Sequence, residues 1–145
     1  MSNFPPREAD KMGIKNKKKP VEQMRILLSI KPEFAQKIFE GTKRYEYRRS
    51  IFRRGEVGKI VVYASDPIKK VIGEFEMGVI LHDEPQALWE RTKTHAGISR
   101  EKFFEYFTNK TEGYAIEIKA AQRYDTPFPL SRLMVTTPPQ SFRYL

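Results

Sequence analysis

The sequence contains no cysteine among its 145 residues. This absence excludes disulfide bonds, thiolate nucleophiles and cysteine-based zinc sites. A chain without cysteine is compatible with a reducing compartment. We therefore take a cytoplasmic location as the expectation.

Histidine is nearly absent as well, and the common catalytic motifs are missing. The two histidines, His82 and His95, are thirteen residues apart, which matches no metal-binding spacing. No Walker motif or Gly-x-Gly-x-x-Gly loop is present, and no Gly-x-Ser-x-Gly elbow surrounds Ser65. The sequence thus predicts no metal and no cofactor, and it disfavours nucleotide hydrolysis and dinucleotide binding.

Long apolar runs are also missing. No stretch approaches the ~20 apolar residues that a membrane helix needs. The segment from Met1 to Lys19 lacks the apolar centre of a secretory signal. We expect no membrane partner.

Basic residues are what the sequence has in excess. It contains 27 Lys and Arg against 18 Asp and Glu, which gives a net charge of +9 and a pI of about 9.8. Such a balance favours RNA or another polyanion as the partner. With 39% hydrophobic and 12% aromatic residues, the chain is expected to fold as one domain with a real core.

The chain divides into a short tail and one domain. Residues 1–22 are polar, contain several helix breakers and carry a lysine run ending at Lys19. This composition predicts a flexible basic tail, which would add salt-sensitive affinity for phosphates. Residues 23–145 are predicted to form a single domain without internal repeats.

Apolar periodicity predicts the elements of this domain. Expected strands cover residues 24–30, 42–49, 59–65, 70–81 and 113–122, expected helices start at Pro32, Glu84 and Ser99, and residues 125–145 should lie extended over the barrel. The 70–81 strand should bend near Gly73 or Gly78. This order predicts an α+β fold, a small mixed or antiparallel β-barrel with inserted helices.

Two long strands carry specific predictions about their faces. In the 70–81 strand, simple alternation places Val71, Phe75, Met77, Val79 and Leu81 on one face. In the 113–122 strand, alternation points Tyr114, Ile116, Ile118 and Ala120 inward.

One dense cluster of charges follows the first predicted helix. Six cations fall within twelve residues: Lys43, Arg44, Arg48, Arg49, Arg53 and Arg54. Glu46 is the only acidic residue between Lys43 and Arg54. Glu46 and Arg48 are two apart on a strand, so they share a face, while Tyr47 should point into the core. Such a pair is either a pocket element or an ordinary salt bridge.

Several segments around this cluster resemble the ASCH domain family. They are Ile26-Leu27-Leu28-Ser29-Ile30-Lys31-Pro32, Glu40-Gly41-Thr42-Lys43, Tyr45-Glu46-Tyr47-Arg48, Val62-Tyr63-Ala64-Ser65 and Ile72-Gly73-Glu74-Phe75. The core of the resemblance is the pattern Gly41-x-Lys43-x-x-Glu46-x-Arg48. It extends from about Met24 to Thr126.

The resemblance implies a PUA-like β-barrel with a cleft beside the first helix and the following strand, in which RNA or a nucleoside-like ligand would bind. By this resemblance Lys43, Glu46 and Arg48 would line the cleft, and Lys31 and Ser65 would join its rim. A further basic rim facing phosphates is expected from three residues, Arg49, Arg53 and Arg54.

Three functions remain open at this point. The first is RNA binding in a basic cleft. The second is a ribonuclease or modified-nucleoside hydrolase with Lys43 as acid or stabiliser and Glu46 as base. Some family members resemble amidohydrolases of acetylated cytidine, but Glu46 stands where their threonine nucleophile would be. The third is a protein-interaction module. The sequence does not decide among them, nor does it fix the oligomeric state.

Overall fold

The computed structural model describes residues 24–53 and 57–145. The predicted tail and Arg54 lie outside these residues. The strands are β1 (Met24–Ile30), β2 (Tyr45–Arg48), β3 (Val57–Ala64), β4 (Lys70–Asp83), β5 (Gly113–Phe128) and β6 (Phe142–Tyr144). The helices are α1 (Pro32–Glu40), α2 (Pro85–Thr92) and α3 (Arg100–Tyr106), with 3-10 turns at Lys93–His95 and Leu130–Leu133.

The described strands form one mixed sheet in the order β2-β5-β4-β3-β1-β6. Strands β1 and β3 are parallel, with Ile26 opposite Ile60, and the other neighbours are antiparallel. The sheet curls into a half-barrel with the helices packed around it. The predicted α+β class is therefore confirmed, and β2 and β6 are the two edges of the sheet.

Strand β3 is covered on both faces, as its sequence predicts. Ile60 and Val62 pack in the main core beneath Ile38 of α1. Val61 and Tyr63 face the opposite way, into a smaller cluster that the C-terminal segment covers. A strand that is buried on both faces anchors the sheet in its centre.

Local sequence signals set the ends of the helices. Pro32 occupies the first turn of α1, and Gly41 ends it in the left-handed conformation with φ of 90°. Ser99 caps α3 because its side chain accepts a hydrogen bond from the Lys102 N–H. Phe103 of α3 is fully buried in a separate aromatic core with Tyr47.

The predicted faces of the two long strands are wrong in part. In β4 the register against β5 shifts at several points, between Val71 and Gly73 for example. Each irregularity changes which residues face the core. Val71 therefore packs in the smaller cluster, Phe75 in the main core, and Val79 is 54% exposed. In β5, Ala120 is exposed with φ of 48° instead of pointing inward.

The C-terminal segment enters the sheet, in contrast to the expected extended cover. Strand β5 continues to Phe128, a 3-10 turn follows, and β6 then pairs antiparallel with β1, with Phe142 opposite Leu28. This pairing brings Ser141 beside the end of β1. Among the helices of the described part, none is long and apolar enough to span a membrane.

Candidate functional site

A cleft of about 640 Å³ opens between α1, α3, strand β2 and the segment before β6. We call it the central cleft. Five predicted site residues line it: Lys31, Lys43, Glu46, Arg48 and Arg49. Its size is that of a small-molecule binding site. The fold thus brings together most of the residues that the sequence singled out.

Lys43 lies in the wall of this cleft and is only 2% exposed. Its Nζ donates to the Ala96 carbonyl at 2.9 Å and sits 4.7 Å from the centre of the Tyr47 ring. Burial lowers the pKa of Lys43 to about 8; nearby Glu46 opposes this effect and Lys37 adds to it. The amine is therefore able to exchange a proton near neutral pH.

The loop between α2 and α3 holds Lys43 in place. The carbonyl of His95 accepts from the Arg44 N–H at 2.9 Å, and that of Gly97 accepts from the Lys37 side chain at 3.4 Å. Gly97 has φ of 65°, and a Cβ added there would lie 2.4 Å from the Cβ of Lys43. The loop backbone therefore lies directly against Lys43. This contact was not predicted from the sequence. The local signal for it is Gly97, a glycine shortly before the start of α3.

Glu46 and Arg48 form a buried ion pair on the floor of the cleft. Arg48 Nη1 donates to Glu46 Oε2 at 3.0 Å. Arg48 is 9% exposed and Glu46 is 7% exposed. Arg48 Nη2 donates to the Ser141 carbonyl at 2.8 Å. The pair is thus both a salt bridge and a pocket element, and it connects β2 to the segment before β6.

Tyr47 belongs to the aromatic core, as strand alternation predicts. Its ring meets Phe103 edge-on at 4.9 Å. Its hydroxyl lies 2.6 Å from Thr92 Oγ1, and Thr92 itself donates to the Leu88 carbonyl. The Tyr47 hydroxyl is therefore the donor of that bond. Burial raises the pKa of Tyr47 to about 12, so its hydroxyl stays protonated at neutral pH.

At the rim of the cleft, the predicted residue Arg49 lies beside residues that the sequence did not single out. The Arg49 guanidinium lies 4.5 Å from the centre of the Tyr106 ring. Lys102, Glu105 and Tyr106 line the cleft from one face of α3, and Gln140 and Ser141 line it from the C-terminal segment. The helical spacing of the three α3 residues, opposite buried Phe103, was a signal that could have indicated this exposed face.

Two predicted residues of the described part, Ser65 and Arg53, are not in the cleft lining. Ser65 donates its backbone N–H to the Ile30 carbonyl but does not line the cleft. The Arg53 backbone N–H donates to the Tyr144 hydroxyl, and the residue is exposed outside the cleft. Arg54 lies outside the described residues. Within 24–53 and 57–145, no group of three or more acidic or histidine side chains is placed to hold a metal ion.

A family model, a relative and a solved structure indicate one family. The family model of the ASCH domain matches residues 28–128. An ASCH domain-containing ribonuclease of Zymomonas mobilis is 30% identical over 128 residues, covering 86% of each chain. The crystal structure of ASCH from that organism superimposes with a TM-score of 0.76 at 30% identity, covering 83% of this chain and 87% of that one.

A further relative is considerably longer than this chain. Large ribosomal subunit protein uL22 of Ureaplasma parvum is 28% identical over 120 residues. The match covers 83% of this chain but only 39% of that protein. This chain therefore spans about two fifths of that relative.

Proposed function

This chain belongs to the ASCH domain family, and from that premise we propose that its central cleft binds single-stranded RNA. One nucleotide would enter the cleft beside Lys43, Glu46 and Arg48. The observation that carries the proposal is the burial of all three charged groups in the lining of one 640 Å³ cleft.

Buried charges are costly for a fold to maintain. An ion pair inside a protein recovers its desolvation penalty only with good geometry, and apolar residues of similar volume are often no less stable. Lys43 is in addition held in a site that lowers its pKa. Such costs concentrate at functional sites. We infer that the three groups are retained for a ligand.

The donors and acceptors of the pair suit a nucleobase. Arg48 has five N–H donors, and its two contacts to Glu46 and Ser141 leave others for a base carbonyl. Glu46 Oε1 would accept from a base amino group. Reading these edges requires an unpaired base, which is why we propose single-stranded RNA.

The rim suits the backbone of the same strand. Lys31, Arg49 and Lys102 are exposed cations around the mouth of the cleft. Phosphate contacts of this kind position a strand, while contacts to base edges inside the cleft select it. The chain's charge of +9 adds long-range attraction.

Fluorescence anisotropy with labelled single-stranded RNA at fixed moderate salt tests the proposal. We expect Glu46→Gln to weaken binding about tenfold, because a hydrogen bond involving a charged group contributes roughly 1.5–3 kcal/mol. Lys110→Ala, an exposed cation outside the cleft lining, should change affinity less than twofold. Equal affinities of the two variants would show that the central cleft does not bind the RNA. Binding that vanishes near physiological salt without length preference would favour an interaction module instead.

Ribonuclease activity is the second candidate function. It is favoured by the lowered pKa of Lys43 and by the name of the Zymomonas relative. In the simplest scheme the RNA 2′-oxygen attacks phosphorus, its proton passes to Glu46 or water, and the bond to the 5′-oxygen breaks. Protonated Lys43 would donate to that leaving oxygen.

An RNA cleavage assay separates binding from catalysis. Wild type and Lys43→Met are incubated with RNA, with and without a chelator, and with acylated nucleosides in parallel. We expect RNA cleavage by wild type alone, falling above pH 8 as Lys43 loses its proton. Equal product from both proteins would refute the ribonuclease mechanism that uses Lys43.

A further inference from the structure

A second cleft of about 530 Å³ lies on the other side of Lys43. We call it the side cleft. It is lined by the end of α1, by Arg44, Tyr45 and His95, and by residues 117–121 of β5. Lys43 lines both clefts.

The two clefts are adjacent, and three elements of the fold line both of them. Each element contributes neighbouring residues to the central and the side cleft in turn: Phe34 and Phe39 on α1, Glu46 and Tyr45 on β2, and Ile98 and His95 in the loop before α3. Phe34 and Phe39 are five residues apart, which is about 7.5 Å along α1 at the usual helical rise. A displacement of this size is comparable to one nucleotide of an extended strand.

Cations in the side cleft are available to a ligand. Arg44 and Lys119 are exposed, and among the described residues neither forms a salt bridge. Arg and Lys side chains in such a position bind phosphate oxygens. The side cleft therefore offers two cations to a phosphate group, beside the carboxylates of Glu40 and Glu117.

The carboxylates of the side cleft are already engaged. Glu40 Oε2 accepts from the Gln36 side chain at 2.8 Å, and Glu117 Oε1 accepts from the Val79 N–H at 3.1 Å. Each acid thus satisfies a donor of the protein itself. Such neutral donors do not cancel the charge of a carboxylate, so phosphate contacts would have to come from Arg44 and Lys119 specifically.

Aromatic rings complete the lining of the side cleft. Phe39 and Tyr45 are half-buried there. The Phe39 ring packs against Gly73, and the Arg123 guanidinium lies 5.2 Å from its centre. Aromatic rings beside cations are the usual surface for single-stranded nucleic acids, because bases stack while phosphates meet the charges.

We propose that the side cleft binds the nucleotide next to the one in the central cleft, on the same RNA strand. Arg44 and Lys119 contact its phosphate, and Tyr45 or Phe39 contacts its base. The ligand of this domain is then at least a dinucleotide that passes over Lys43. This inference rests on the proposed RNA binding of the central cleft.

A length series tests it on the full chain. Binding of a nucleoside monophosphate, a dinucleotide and a hexanucleotide is measured for wild type and for Arg44→Ala/Lys119→Ala. We expect the double variant to bind the monophosphate within twofold of wild type. Its affinity for the hexanucleotide should fall about tenfold. The slope of log affinity against log salt concentration should fall by about 0.7, because the two cations contact one phosphate and each neutralised phosphate on a single strand contributes about 0.7.

The matched control is Lys70→Ala/Lys110→Ala, which removes the same charge at exposed positions outside both clefts. An equal loss in the two double variants would overturn the inference, since general charge would then explain it. Equal binding of the monophosphate and the hexanucleotide by wild type would also overturn it. Failure of wild type to bind any of the three ligands would instead refute the central cleft as well.

Discussion

Arg48 Nη2 donates to the carbonyl of Ser141 at 2.8 Å, although the two residues are 93 positions apart. Arg48 lies on β2, one edge of the sheet, and Ser141 directly precedes β6, the other edge. The two edges are not paired with each other by backbone hydrogen bonds. The Arg48 guanidinium therefore connects the two edges of the half-barrel, and it does so on the floor of the central cleft.

Removing this connection should destabilise the fold. Arg48→Ala leaves Glu46 buried without its partner, and breaking a buried pair in this way costs about 3–5 kcal/mol. Arg49→Ala, on the exposed rim, should cost less than about 1 kcal/mol. Urea unfolding of both variants measures the difference. The double variant Arg48→Met/Glu46→Leu should recover most of the loss, and a loss for Arg48→Ala no larger than for Arg49→Ala would contradict the structural role.

Lys43 should lower stability at neutral pH, because its pKa falls from 10.5 to about 8 on folding. Between these values the unfolded chain holds more protons, so stability rises with pH by up to about 1.4 kcal/mol per unit. Lys43→Met removes this dependence. We expect the variant to be more stable than wild type at pH 7. At pH 9 this difference in the free energy of unfolding should be smaller by about 1 kcal/mol.

Urea unfolding of wild type and Lys43→Met at pH 7 and pH 9 tests this prediction. The lost hydrogen bond to Ala96 offsets part of the gain at both values equally. Only the change between pH 7 and pH 9 is therefore decisive. A difference between the proteins that does not vary with pH would mean that Lys43 titrates normally.

Gly97 should be required for the position of Lys43. Gly97→Ala places a Cβ 2.4 Å from the Cβ of Lys43 at a residue with φ of 65°. Gly41→Ala is a matched control, because Gly41 has φ of 90° but nothing lies within 4 Å of an added Cβ. The control should lose about 1–2 kcal/mol from backbone strain alone.

We expect Gly97→Ala to lose more stability than Gly41→Ala. It should also weaken binding of a labelled nucleoside monophosphate in the central cleft, while the control, whose Gly41 lies outside that cleft, binds it normally. Thermal unfolding and anisotropy together provide the two readings. If both glycine variants behaved alike, the loop would not be positioning Lys43.

Tyr47→Phe should lower stability without changing RNA affinity. It deletes the hydroxyl that donates to Thr92 in the core, a bond that contributes about 1 kcal/mol. Thr92 keeps its own bond to the Leu88 carbonyl, so no buried donor is stranded. Tyr106→Phe on the cleft rim serves as the comparison. A Tyr47→Phe variant of full stability that no longer binds RNA would place this hydroxyl in the site.

The sequence by itself determined the elements whose signals are local. Pro32 and Gly41 bounded α1, Ser99 began α3, and alternation located β1 and the two covered faces of β3. The cluster from Lys43 to Arg49 was visible for the same reason, since its members are neighbours in one short segment around β2. These features depend on backbone preferences and spacing within a few residues.

Only the tertiary structure decided what surrounds that cluster. Irregular pairing in β4 moved Val79 to the surface, and strand pairing brought Ser141 to Arg48. The contact of Lys43 with Ala96 joins residues 53 positions apart, and it accompanies the burial that lowers the pKa of Lys43. Desolvation and long-range packing depend on which distant segments meet, and no local pattern records this.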